Sequence, residues 1–182
     1  MSEEQAPAGR KFNIPPEIIN GLLDGSVTLG QAVGLGRERL YEIARVGYHL
    51  LESGRLEDAK TIYRGLVAAS PYDSVFHCHL AAVHHRLGEL DEALEQYTEA
   101  LRFNIANTDA MAGRGEVYIK RGQIREGIAD LNEAVRLDPQ EKRDSTVRAR
   151  AILVALQEAA KNRAAQAAEN TQKPLGAPKT HT

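Results

Sequence analysis

Residues 50–71 read LLESGRLEDAKTIYRGLVAASP; residues 84–105, 34 positions on, read HHRLGELDEALEQYTEALRFNI; residues 118–139, after the same interval, read YIKRGQIREGIADLNEAVRLDP. The glycines Gly54, Gly88 and Gly122 align, and two residues after each stands an aliphatic: Leu56, Leu90 and Ile124. Further columns hold Ala59, Ala93 and Gly127, then Tyr63, Tyr97 and Leu131, then Pro71, Ile105 and Pro139; upstream lies the column Gly47, Ala81 and Gly115. The glycine ends one helix, because it takes the left-handed conformation without steric cost. Small residues let two antiparallel helices approach, large ones fill the space between them, and proline stops the second helix. Each helix pair covers only part of its own apolar face, so neighbouring repeats must supply the rest of the core.

A 34-residue helix–turn–helix period predicts an all-α helical hairpin solenoid. The run Ile43-x2-Val46-Gly47-x2-Leu50…Ala59-x3-Tyr63…Pro71 resembles a tetratricopeptide (TPR) repeat. This places three repeats at 40–73, 74–107 and 108–141, within a block spanning 40–141. Gly127 replaces the usual alanine and Ile105 the usual proline; Gly127 should weaken its helix by about 0.5–1 kcal/mol relative to alanine.

Outward from the repeats, residues 142–169 carry Ala149, Ile152, Leu153, Leu156 and Ala160 at helical spacing, which predicts a C-terminal capping helix with a polar outer face. Residues 170–182 are rich in Pro, Gly and Thr without periodicity and read as a disordered tail, and residues 1–13 as a flexible N-terminal tail. Residues 14–39 form a helical flank: Pro15 and Pro16 open a short helix with Ile18, Ile19, Leu22 and Leu23 on a stripe, Gly25 stops it, and Thr28 with Gln31 forms a capping box. That stripe packs either on the first repeat or on a second copy, and the sequence leaves both open.

Composition narrows the function classes. A net charge of −2 offers no cationic field for nucleic acid, and no apolar run approaches the roughly 20 residues that membrane insertion needs. The single cysteine, Cys78, excludes an internal disulfide framework and fits a reducing, cytoplasmic setting. The cluster His77, Cys78, His79, His84 and His85 has no pair three or four residues apart, so one helix face cannot clamp a metal. Cys78 and His85 are seven apart, roughly 10 Å along a helix, too far for a thiolate–imidazole pair. No phosphate-cradling loop, nucleophile elbow or HExxH is present. The expectation is a non-catalytic protein with no cofactor and no metal.

Within the family the chain more closely resembles the class II chaperones of bacterial type III secretion, which hold translocator proteins. The residues that carry this are Leu40-Tyr41-x2-Ala44-x3-Tyr48, Gly54-x-Leu56-Glu57-Asp58-Ala59, Tyr72-Asp73-Ser74-x-Phe76 and Gly88-x2-Asp91-x-Ala93-x3-Tyr97. The resemblance implies a protein or extended-peptide client in a concave groove, and a weak homodimer through Ile18, Ile19, Leu22 and Leu23. In TPR proteins the groove is lined by one stripe of the first helix of each repeat. Here that stripe is Tyr41, Ala44, Tyr48 and Leu51, then Val75, Cys78, Ala82 and His85, then Asp109, Ala112, Glu116 and Ile119. Such a groove starts aromatic and ends acidic, suited to an apolar segment with a basic residue. The alternative is a TPR adaptor joining cytosolic proteins in a regulatory or motility complex.

Overall fold

The structure is a computed structural model that describes residues 15–172. Those residues form helices and no strand: α1 (Pro16–Asp24), α2 (Leu29–Ala32), α3 (Arg37–Glu52), α4 (Leu56–Ala69), α5 (Ser74–Leu87), α6 (Leu90–Phe103), α7 (Thr108–Lys120), α8 (Ile124–Leu137) and α9 (Asp144–Gln172). The fold is all-α, as the period predicts. The tail expected at 1–13 and residues 173–182 of the tail expected at 170–182 lie outside the described residues, whereas residues 170–172 of that expected tail are helical, because α9 runs on through Gln172, past the boundary at 169. The chain forms two compact units, one up to Asp73 and one from Ser74.

The first unit is built on the α3–α4 hairpin. Gly54 turns the chain with φ +79°, and Ala59 and Tyr63 are fully buried where the two helices meet. The Tyr63 ring lies against Gly47, and its hydroxyl donates to the Ala44 carbonyl at 2.9 Å, so one side chain fixes both spacing and register. The flank docks through α2. Gly30 approaches α4 so closely that a Cβ there would sit 2.8 Å from the Ala69 carbonyl oxygen. Gly25, at φ +79°, ends α1, and the Thr28 capping box opens α2 with both of its bonds formed. Among the described helices of its unit, α1 packs on α2 alone. Its stripe is therefore split: Ile18 and Leu22 are half-buried, whereas Ile19 is 44% and Leu23 82% exposed.

The second unit comprises the α5–α6 and α7–α8 hairpins, with α9 laid on α7 and α8. Ala81, Ala93, Ala100, Val117, Leu131, Ala134 and Ala149 meet in one core. Gly88 and Gly122 turn the chain at φ +82° and +78°. Between the hairpins, Ser74 donates to the Ala100 carbonyl (2.8 Å) and accepts from Asn107 Nδ2 (2.8 Å), while Asn107 caps α7 by accepting from the Ala110 amide. Arg114 grips Asp130 with two bonds of 2.7 and 3.0 Å, tying α7 to α8.

Candidate functional site

On α3 the predicted stripe divides by exposure. Ala44 and Leu51 are buried and Tyr41 is half-buried, while Tyr48 leaves 46% of its surface open. Neither α1 nor α2 packs on α3, so the flank leaves this face uncovered. The Tyr41 hydroxyl donates to Asp73 Oδ2 at 3.0 Å, and the Arg37 guanidinium lies 5.5 Å from the ring centroid. Burial raises the Tyr41 phenol above its ordinary value, so it stays protonated and donating. Tyr41 is thus engaged with the end of its own unit, and Tyr48 carries the accessible aromatic surface.

The second unit brings the α5 and α7 stripes together with the start of α9. Cys78 and Ala112 are buried, and Val75, Ala82, His85, Asp109, Glu116 and Ile119 are half-buried. Beneath them passes Tyr97 from α6. Its ring reaches α7 at Gly113, where a Cβ would lie 2.3 Å from Cζ. Tyr63 meets Gly47 of its own hairpin, but the matching position before Tyr97 is Ala81, and Tyr97 uses the gap that Gly113 leaves on the next helix. The sequence columns missed this pairing because Gly113 lies two positions from the small-residue column.

The acidic character expected of α7 is cancelled locally. Asp109 accepts from Arg143 Nη1 and from Ser145 Oγ, each at 2.5 Å, and Glu116 accepts from Arg148 Nε at 3.3 Å. The signal for one partner was present: Arg143 stands 34 residues after Asp109, one period beyond the last repeat. Burial, and then the Asp109 carboxylate, push the Cys78 thiol up, so it is a protonated core group. The other histidines of α5 are engaged structurally: His77 Nδ1 with Gln96 Oε1 (2.8 Å), His79 Nδ1 with the Val75 carbonyl (2.8 Å), and His84 Nδ1 with Glu89 Oε2 (2.5 Å). His85 differs. Its Nε2 is buried without a hydrogen-bond partner among the described residues, and burial, then Lys120 and Arg148, pull its pKa down to about 4. No group of three or more His, Cys, Asp or Glu among the described residues is arranged to hold a metal ion. No helix there is long and apolar enough to cross a membrane.

Residues 17–105 match the Bacterial transcriptional activator domain family, and residues 108–141 match the Tetratricopeptide repeat family. The Low calcium response locus protein H of Yersinia pestis is 23% identical over 140 residues, which are 76% of this chain and 83% of that protein. Among solved structures, the type III secretion translocator chaperone SycD of Yersinia enterocolitica superposes with a TM-score of 0.64 at 23% identity, covering 70% of this chain and 97% of SycD. SycD in complex with a peptide of the translocator YopD gives a TM-score of 0.60 at 23% identity, covering 68% and 96%. The likeness to these structures is one of fold.

Proposed function

We propose that this chain is a non-catalytic, cytoplasmic binding protein that holds an extended apolar segment of a protein client, as a type III secretion translocator chaperone does. The observation that carries the reading is Tyr48, an aromatic ring 46% exposed on a helix face that neither flank helix covers. An exposed aromatic beside a buried small residue, here Ala44, offers apolar area over a shallow recess for an aliphatic side chain. Each unit's part of the stripe divides by burial: in the second, Val75, Ala82 and Ile119 meet the client with Cys78 and Ala112 buried beside them, and in the first, buried Ala44 and Leu51 support the α3 face. Likeness to SycD over nearly the whole of that protein supports the chaperone class.

The test is substitution of Tyr48 by alanine, with the partner that co-purifies from the native cell as ligand. Tyr41 is left in place because it holds Asp73. Affinity should fall at least tenfold, about 1.4 kcal/mol, with an unchanged circular dichroism spectrum. Unaltered affinity in the folded variant would remove the α3 face from the binding surface. The match of residues 17–105 to a transcriptional activator domain family favours a second reading, an adaptor in a regulatory complex. Mass spectrometry of the co-purified partner separates the two: an aggregation-prone translocator for the first, a folded regulatory protein for the second.

A further inference from the structure

We propose that the hydroxyl of Tyr97 opens on the floor of the client groove in the second unit and donates a hydrogen bond to a main-chain carbonyl of the bound segment. This rests on the client-holding reading above, but on a different unit and a different side chain from the α3 face. Comparison of the repeats is the first argument. In the same column Tyr63 is fully buried, and its hydroxyl is bonded to the Ala44 carbonyl. Leu131, also fully buried, has no side-chain polar atom to satisfy. Tyr97 is only 3% exposed, yet its hydroxyl makes no hydrogen bond among the described residues. The matching acceptor would be the Cys78 carbonyl, but the ring runs to α7 instead. A Cβ on Gly113 would lie 2.3 Å from Cζ and 2.4 Å from the hydroxyl oxygen. Packing accounts for the ring and leaves the oxygen without a role.

Access is the second argument. Among the described residues, the side-chain atoms shut away from water without a partner belong to His85, Gln123 and Thr146. The Tyr97 oxygen is not one of them, so the small surface that this residue keeps includes its hydroxyl. In this unit α7 packs on both α5 and α9, and α6 packs on both α5 and α7. A ring that leaves α6 and ends at the α7 backbone therefore carries its tip into the seam between α5 and α7, the helices that line the groove. The stripe residues in the same core as Tyr97 are Cys78 and Ala112, both small, so the groove floor is shallow there. Asp109 is bonded to Arg143 and Ser145, Glu116 to Arg148, and neither accepts from Tyr97. Burial keeps the phenol protonated at neutral pH, so it donates. An extended segment turns successive carbonyls to opposite sides, so one can meet the hydroxyl whatever the client's side chains are. Once the client displaces water, leaving that donor unbonded would be costly, and the bond therefore fixes the segment's register.

The probe is a fluorescein-labelled peptide, the tightest binder of an overlapping set that spans the partner co-purified from the native cell. It is titrated into the full chain, into Tyr97→Phe and into Tyr48→Ala. Tyr97→Phe removes one oxygen and leaves the ring against Gly113, so its melting temperature should not fall. Its affinity for the peptide should drop about threefold or more. Nuclear magnetic resonance adds a direct reading, with the Tyr63 hydroxyl proton, held by the Ala44 carbonyl, as the protected reference. The Tyr97 hydroxyl proton should exchange with water in the free protein, appear when the peptide is bound, and be missing from Tyr97→Phe. Equal affinity of the wild type and Tyr97→Phe overturns the inference. So does a lower melting temperature of Tyr97→Phe, or a Tyr97 proton already protected in the free protein, since either reveals an internal partner. Weakening by Tyr97→Phe without weakening by Tyr48→Ala means that the α3 face alone has failed, and the opposite pattern means that this inference alone has. If no peptide of the set binds the wild type, the client-holding reading falls and takes this inference with it.

Discussion

Gly127 stands where most repeats of this type carry alanine, and helix propensity alone says that alanine would stabilise α8 by about 0.5–1 kcal/mol. Its surroundings reverse the sign. A Cβ at Gly127 would sit 2.6 Å from Ile119 Cδ1 and 2.8 Å from the Gly115 carbonyl oxygen. The side chain can shift, but the carbonyl belongs to the α7 backbone, and overpacking of this kind costs about 1–3 kcal/mol. Gly127→Ala should therefore lower the melting temperature, and a rise would show that α7 and α8 can separate freely. His85 sets a second expectation, in pH. Its folded pKa of about 4 lies below the ordinary value of 6.5, so between these pH values the unfolded chain binds a proton that the folded chain excludes. Stability is unaffected above about pH 6.5, declines as pH falls toward 4, and loses nothing more from this group below that. Part of the drop in melting temperature between pH 6.5 and 4 should vanish in His85→Gln, and identical pH profiles would place the imidazole in contact with water.

At the scale of elements, what the sequence disclosed depended on whether a position belonged to a repeating column. The hairpin turns at Gly54, Gly88 and Gly122 were legible because only one residue type suits a left-handed turn, and all three have φ near +80°. Buried Ala59 and Ala93 were legible for the same reason of type, smallness at a crossing. Side chains that reach between elements were not. The Tyr41 bond to Asp73 joins two positions 32 residues apart outside the shared columns, and Tyr97, itself a column residue, passes at Gly113, which is not one. The acidic end assigned to α7 shows the same gap for two of its three partners, since Ser145 and Arg148, unlike Arg143, match no position one period after the carboxylate they bond. Helix α9 also illustrates how far a stripe can be trusted. Ala149 is fully buried and Ile152, Leu153 and Leu156 partly so, but Ala160 is exposed. Its spacing is helical throughout, and periodicity gives no information about where the supporting surface ends.

At the scale of the whole molecule, the flank bears on self-association, and its geometry limits the strength. With α2 docked on α4, the large apolar residues still exposed on α1, on α2 and just after it are Ile19, Leu23, Leu29 and Val33. They are accessible to a second copy. Helix α1 has nine residues, about 14 Å at 1.5 Å per residue, so two such helices crossing cannot approach the roughly 1,200 Å² that a stable interface buries. We therefore expect a weak homodimer, with a dissociation constant in the micromolar range or above, on the order of −8 kcal/mol or weaker. Removing the whole flank is a poor test, because it would strip α2 from α4 and expose Ala69, which is buried. The exposed positions give a cleaner one. Ile19→Glu with Leu23→Glu places like charges opposite one another in a symmetric contact and changes little within the monomer, since both side chains already face water. Light scattering of the intact chain should show a mass above 20.0 kDa that rises with concentration through the high micromolar range. The double variant should stay at the monomer mass with unchanged helicity. An intact chain that remains monomeric at those concentrations would leave the exposed flank to a different protein, and association that persists in the variant would move the contact to another surface.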